Sequence, residues 1–360
     1  MAGGPIQILD EIEFAPGQRA GFLAALEKRY RPQAEALGLR LRSLLLEPPI
    51  DVAGLASRAL IGWELADVAA FWSWRARGTA NPDLAAFWSD AAPQISRRVR
   101  RYASEAAGRE PLAPAAAPPP DGTARLVPGI ERSVSLIHLR PGVSEAERSR
   151  LERALQSASA NAAASLGRNL PGTLNGGDYT WDLVSPVGAS ARIDGLAESL
   201  RALISEHDEV ALDPIAGGLR APDASFAQRA EGERGPSGVA GAIKRTLLLR
   251  VVPGAAPAAV AEFERALLAM PEHIGAIRNW CLSRVRGASP RGWTHVWEQD
   301  FADLAGLSDD YMNHPIHWSV VDGWFHAEDP RCIVAPRIAH VFCRSPRSLL
   351  SHALAPVSER

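Results

Sequence analysis

Residues 245–254 read RTLLLRVVPG, and residues 255–270 continue AAPAAVAEFERALLAM. The first stretch is an apolar run suited to a strand, ending on Pro253-Gly254. Proline fixes φ there and glycine supplies the permissive turn position after it. The second stretch sets Val260, Phe263, Leu267 and Leu268 at helical spacing. The same opening occurs twice upstream: SVSLIHLRPG (133–142) before VSEAERSRLERALQSA (143–158), and ILDEIEFAPG (8–17) before QRAGFLAALEKRYRPQAEAL (18–37). The tetrapeptide ERAL recurs at 152–155 and 264–267. Further on, GDYTWDLVS around Trp181 and GWTHVWEQD around Trp293 each read as a strand after a Gly-rich hairpin. Each block therefore predicts β-α-β-β-α-β. The turn prolines Pro16, Pro141 and Pro253 lie 125 and then 112 residues apart, spacings of whole domains rather than of solenoid modules.

The expected fold class is α+β: tandem ferredoxin-like units whose sheets pair as in dimeric α+β barrels. The expected divisions are a diverged unit over 1–105, a Pro/Ala-rich linker over 106–128, a second unit over 129–218, a flexible linker over 219–240, a third unit over 241–345 and a surface tail over 346–360. An open four-stranded sheet with helices on one face leaves its other face to be covered. With three units, two pair inside the chain and the third meets a second chain, which predicts a homodimer.

Composition narrows the function. The chain has 360 residues, 46% apolar and 22% charged, too hydrophobic for wholesale disorder. Thirty-nine basic and 41 acidic side chains leave a net charge of -2, without the basic footprint of a general nucleic-acid binder. No apolar run reaches transmembrane length, and MAGGPIQILDEIEF has no signal-peptide pattern, so neither membrane nor export is expected. Three scattered cysteines, Cys281, Cys332 and Cys343, suit a reducing cytoplasm. No GxGxxG, GxxxxGK[ST] or GxSxG string is present. The tryptophans of block one, Trp63, Trp72, Trp74 and Trp88, read as packing.

In block three, strands are expected at 243–252, 276–286, 292–300 and 331–342, with helices at 257–270, 304–313 and 315–325. On the third of these strands, Trp293, His295 and Trp297 share one face. The strings IKRTLLLRV (243–251), GWTHVWEQDF (292–301) and LSDDYMNHPIHWSVVDGWF (307–325) resemble the stress-responsive dimeric α+β barrel family, over about 241–343. The Y-x-x-H-P-x-H string from Tyr311 to His317 is its most specific part. The family is ferredoxin-like. It includes plant polyketide cyclases that close an aromatic ring by aldol condensation, alongside stress-induced proteins without assigned activity. The resemblance implies that Tyr311 and His317 form a catalytic pair. One departure is clear: the cyclases carry a histidine in the first strand where this chain has Arg245.

The residues support that chemistry on their own terms. Pro315 suits the first position of a helix, which makes His314 the cap and sets His317 in the first turn, where the helix dipole disfavours an imidazolium. A neutral histidine is a general base, and a tyrosine hydroxyl donates to a developing oxyanion. Trp297, Trp318 and Trp324 are expected to line an aromatic pocket, with His295 and His314 as polar wall groups and Arg245 as a partner for a substrate carboxylate or phenolate. His295, His314, His317 and His326 lack a metal-ligand spacing, and neither a metal nor another cofactor is expected. Two functions result: a cofactor-independent lyase, cyclase or dehydratase acting on an aromatic or polyketide-like carbonyl compound, or a non-catalytic stress-response protein that holds an apolar small molecule.

Overall fold

A computed structural model describes residues 4–105, 125–220, 242–345 and 348–355. Nearly all of the two expected linkers therefore lies outside the described residues. The chain divides into two compact units, one drawn from Met1–Ala113 with Asn313–Pro336 and the other from Pro114–Met312 with Arg337–Arg360. No helix among the described residues is long and apolar enough to cross a membrane.

The first unit holds strands β1 (Ile6–Phe14), β2 (Arg40–Glu47), β3 (Ser57–Leu65) and β4 (Ile95–Ser104), antiparallel in the order β2-β3-β1-β4. Between them run helices α1 (Arg19–Ala25), α2 (Arg31–Ala36), α3 (Val68–Thr79) and α4 (Pro82–Ala91). Asp67 caps α3 by accepting the Ala70 N–H at 2.8 Å, and Asn81 caps α4 ahead of Pro82, which needs no N–H of its own there. Period-two alternation sends Ile6, Ile8, Ile12 and Phe14 into a core with Phe22, Phe71, Trp74 and Phe87. Trp63 and Trp88 are buried there as well, so these block-one indoles are packing. Asp10 shares that sheet face, buried with Arg98 and Arg100.

Trp318 joins this same core, 4% exposed. The third block, expected as one domain over 241–345, is thus shared: its residues 313–336 fold as part of the first unit. The cause is an aromatic and ionic fit. Within the unit, Asp322 pairs with Arg75, Tyr30 donates to Glu328 at 2.5 Å, and Tyr102 donates to Asp329 at 3.1 Å.

The second unit opens with the short strand β5 (Arg125–Leu126). It continues with β6 (Ile130–Leu139), α5 (Glu145–Ala158), β7 (Ala163–Arg168), β8 (Tyr179–Pro186), α6 (Glu198–Arg201) and β9 (Ile204–Leu219). Then come β10 (Ala242–Leu249), α7 (Pro257–His273), β11 (Ile277–Arg286), β12 (His295–Phe301), β13 (Ala339–Ser345), α8 (Leu350–Ala353) and β14 (Leu354–Ala355). One antiparallel sheet runs β13-β10-β12-β11-β9-β6-β8-β7. Blocks two and three join where β9 pairs with β11, and isolated bridges at Asn169↔Cys343 and Leu174↔His340 link β13 to the segment that follows β7. The two ends of the sheet are thereby drawn together, as in a barrel.

Cross-strand register fixes what lies inside. Val134, Leu136, Val210, Leu212, Leu248 and Val296 form an apolar layer. Beyond it, Arg132, Asp182, Lys244 and Glu298 form a buried ion-paired group, with Arg132 to Glu298 at 2.8 Å and Lys244 to Glu298 at 3.2 Å. Trp293 belongs to the apolar layer, with its Nε1 donating to Asp208, so it does not share the face of His295 and Trp297. It precedes β12, so strand alternation does not govern it. The strand expected at 331–342 is confined to Ala339–Ser345, because the chain up to Pro336 is committed to the first unit.

The tail differs from expectation as well. Leu349, Leu350, Ala353 and Leu354 are buried against Val184 and Cys281, and β14 pairs with β5. Ser348 donates to Asp300. Burial raises the Asp300 carboxyl to about 6, against hydrogen bonds from Ser348 and Asn279 and the charge of Lys244. An unfolded Asp ionises near 3.9, so between about pH 4 and 6 the folded state holds a proton that the unfolded state has lost. Stability from this group is therefore complete below pH 4 and declines as pH rises to 6, by on the order of 3 kcal/mol. Denaturant unfolding of Asp300→Asn at pH 4 and pH 6.5 is expected to show that decline abolished relative to the unsubstituted chain. Equal pH dependence in both would contradict it.

Candidate functional site

The second unit assembles a compact polar centre on the outer face of β10 and β12. Arg245 on β10 stands opposite Gln299 on β12, and Leu247 opposite Trp297, so the four share a face. Tyr311 ends the π-helical turn Gly306–Tyr311, a wide-turn geometry frequent at functional sites. The Arg245 guanidinium lies 5.0 Å from the centroid of the Tyr311 ring. Its Nε donates to His340 Nε2 at 2.7 Å and its Nη1 to Gln299 Oε1 at 2.6 Å. The edge of Phe301 packs on the Tyr311 ring, and the phenol reaches Met270 Sδ of α7 at 3.9 Å.

Arg245 is 4% exposed, Tyr311 1%, and Trp297 and Gln299 are fully buried. Burial raises the Tyr311 phenol above its ordinary range, while Arg245, Trp297 and Gln299 pull the other way. The hydroxyl therefore stays protonated through neutral pH, and it donates to Met270 Sδ. Desolvation lowers Arg245, with Tyr311 the charge that opposes it. Among the described residues no carboxylate lies within ion-pair distance of this guanidinium. Trp297 and Gln299 are buried, and their side chains hydrogen-bond the Tyr311 hydroxyl. Donors gathered around a phenol oxygen are an arrangement suited to negative charge on oxygen.

His295 sits farther along β12. Its Nε2 lies 3.0 Å from Glu264 of α7 and its Nδ1 2.9 Å from Thr294 Oγ1, so both ring nitrogens are engaged. Burial lowers its pKa despite Glu264. Glu264 also receives Arg284 at 2.7 Å. This group ties helix to sheet.

The remaining candidates belong to the first unit, since the division of the chain falls between Met312 and Asn313. His314 Nδ1 accepts the Ile316 N–H at 3.3 Å, the bond of a capping side chain. His317 stands on the π-helical turn Ile316–Val321 with its ring 4.9 Å from that of Trp72. Trp318 is in the core, and Trp324 is buried with Arg331 5.8 Å from its ring. The structure thus brings Arg245, Trp297 and Tyr311 together in one unit, and places His314, His317, Trp318 and Trp324 in the other. Among the described residues no group of three or more His, Cys, Asp or Glu side chains is placed to hold a metal ion.

Two members of the centre were not foreseen. Gln299 follows Trp297 at the strand period, and extending that alternation by one step finds it. His340 depends on the register of β13 against β10, which pairs it with Leu247, and no local pattern announces that.

The first unit and each half of the barrel place their four strands in the order second-third-first-fourth, the ferredoxin-like arrangement. These are α+β sheets of the barrel-forming kind. Residues 243–334 match the family model described as Stress responsive A/B Barrel Domain, and that stretch is a domain of this type. No curated protein matches the sequence. Solved structures resemble it at low identity. A candidate monooxygenase from Lactobacillus acidophilus is 9% identical over 64% of this chain and 100% of its own, with a TM-score of 0.39. An anthrone oxidase-like protein is 7% identical over 64% and 94%, with a TM-score of 0.38. A chlorite dismutase from Candidatus Nitrospira defluvii is 9% identical over 61% and 92%, with a TM-score of 0.35.

Proposed function

We propose that the centre around Tyr311 is the site of a cofactor-independent acid–base enzyme, a lyase, cyclase or dehydratase acting on an aromatic or polyketide-like carbonyl compound. The observation that carries this reading is the convergence of the Arg245 guanidinium and the Trp297 and Gln299 side chains on a buried, protonated phenol. Enolisation, aldol closure and dehydration all build negative charge on a carbonyl oxygen, and preorganised donors stabilise that charge. Tyr311 is the oxyanion donor, and His317 is the base that the Y-x-x-H-P-x-H string assigns. The alternative is a protein that binds the same compounds without converting them. Tyr311→Phe and His317→Ala decide between the two, with turnover of a panel of aromatic β-dicarbonyl compounds and affinity for them measured separately. Turnover lost with binding kept supports catalysis. Binding without turnover in the unsubstituted chain leaves the alternative.

The partner proposed for the first unit is a second copy of this chain. On the open face of its sheet, Leu45 stands opposite Leu60, and both are exposed, as is Leu9. Arg58, Arg97 and Arg101 alternate around them with Glu11 and Glu13 in exposed ion pairs. A face with apolar centre and mixed-sign rim is complementary to itself under a twofold axis. Light scattering at tens of micromolar is expected to give a dimer, and Leu45→Glu with Leu60→Glu a monomer. A monomeric unsubstituted chain would overturn this pairing.

A further inference from the structure

The side-chain amide of Gln299 has two ends of nearly equal shape, an oxygen that accepts and a nitrogen that donates. Arg245 settles which end faces Tyr311. A guanidinium can only donate, and its Nη1 holds Gln299 Oε1 at 2.6 Å. Register sets the pair in place, since Arg245 of β10 stands directly opposite Gln299 of β12. His340 steadies the guanidinium by accepting from its Nε at 2.7 Å. The amide nitrogen is thereby left to the Tyr311 hydroxyl, which Gln299 hydrogen-bonds together with Trp297. An indole N–H likewise only donates. Two donors on the phenol oxygen send its proton in a third direction, where Met270 Sδ lies at 3.9 Å. A thioether is a weak acceptor, and a carbonyl oxygen is a better one. Arg245, Trp297, Gln299 and Tyr311 are all buried, so water does not compete for these bonds.

We infer that Gln299 and Arg245 are positioning residues for Tyr311: the guanidinium locks the amide so that its N–H, rather than its oxygen, meets the phenol oxygen. The inference rests on the reading of Tyr311 as the catalytic donor and names what makes that donor effective. N–H bonds to the phenol oxygen favour the charge it gains as its proton moves toward a substrate oxygen. With the amide reversed, Oε1 would accept the phenol's proton, and the donor would be spent inside the protein.

The test uses the full chain with 3-fluorotyrosine at its four tyrosines, each phenol followed by fluorine NMR from pH 7 to 11. Fluorination makes the phenol more acidic, and Tyr311→Phe identifies the Tyr311 signal. Gln299→Met keeps the length of the side chain and removes the N–H. It is expected to raise the Tyr311 midpoint by about one pH unit. Loss of an oxygen facing the phenol would lower the midpoint instead, because such an oxygen favours the protonated form. In Arg245→Met the amide is no longer locked, and adding Gln299→Met should move the midpoint by less than about a third of that. Gln299→Leu repeats the measurement if Gln299→Met does not fold. With benzoylacetone as the substrate probe, Gln299→Met should lower kcat about tenfold and leave KM within about threefold. A lowered or unchanged midpoint, an equal shift with and without Arg245, or an unchanged kcat where turnover needs Tyr311 would each overturn the inference. So would a Tyr311 signal that does not titrate by pH 11 in the otherwise unsubstituted chain, since its oxygen would then lack the assistance of donors. A raised, Arg245-dependent midpoint without benzoylacetone turnover sinks only the enzyme. Tyr311-dependent turnover with the midpoint unmoved sinks only the positioning.

Discussion

Tyr311→Phe is expected to lower turnover by about 10²–10³-fold while changing ligand affinity by no more than about threefold. The substitution removes one oxygen and keeps the ring. The face that Arg245 covers at 5.0 Å and the edge contact with Phe301 at 5.6 Å both survive in phenylalanine. Van der Waals contact with the ligand is therefore nearly unchanged, and ground-state binding with it. What disappears is a donor whose contribution grows as charge develops on the substrate oxygen. Such an interaction lowers kcat and kcat/KM together and leaves KM in place. Burial holds the phenol protonated, so the rate lost in Tyr311→Phe should be the same across neutral pH. Steady-state kinetics from pH 6 to 8 check both parts. Turnover within threefold of the unsubstituted chain would remove Tyr311 from the chemistry.

Much of this centre was legible because it depends on local spacing. The strand–turn–helix opening at 245–270 locates β10 and α7, and alternation along β12 places Trp297 on a common face with Gln299. Arg245 stands out where the family's cyclases have histidine. What was not legible depends on partners far away in sequence. Arg75 and Asp322 are 247 residues apart, and Tyr30 and Glu328 298 apart. Nothing in 313–336 alone says that its acids match arginines and a tyrosine of block one, so the segment reads as the continuation of block three. Pro330 and Pro336 were signals against a strand beginning at 331, since each removes a backbone donor. In the tail, the four-residue helix Leu350–Ala353 is too short to show a period, and its burial comes from packing with Val184 and Cys281, far away in sequence.

Asp10→Ala is expected to destabilise the first unit by about 3–5 kcal/mol, the cost of leaving buried charge without its partner. Asp10 is fully buried on β1 and accepts from both neighbouring arginines of β4: from Arg98 at 2.9 and 3.1 Å, and from Arg100 at 2.8 and 2.9 Å. One carboxylate thus holds two guanidinium groups, and Arg98 is further stacked 3.2 Å from the centroid of the Trp88 ring. Without it, the carboxylate left to Arg100 among the described residues is Glu328 at 3.7 Å, already engaged by Tyr30 and by Trp88 Nε1 at 3.2 Å. Burial alone would raise the Asp10 carboxyl, but the two arginines outweigh it and hold it below its ordinary range. Stability from this group is therefore present above the unfolded value near 3.9 and is lost as pH falls through the depressed folded value. Asp10→Ala should accordingly unfold less steeply in acid than the unsubstituted chain, although it is weaker at pH 7. Replacing Arg98 and Arg100 with Met together with Asp10→Leu should recover part of the loss, because the orphaned charges go as well. Glu328 belongs to the same segment as His317, so loosening this network should also raise hydrogen exchange across 313–336 before the rest of the unit. A loss below about 1 kcal/mol, or exchange in 313–336 unchanged, would mean that the arginines find other compensation and that the segment carrying His317 is held by Trp318 and the apolar core alone.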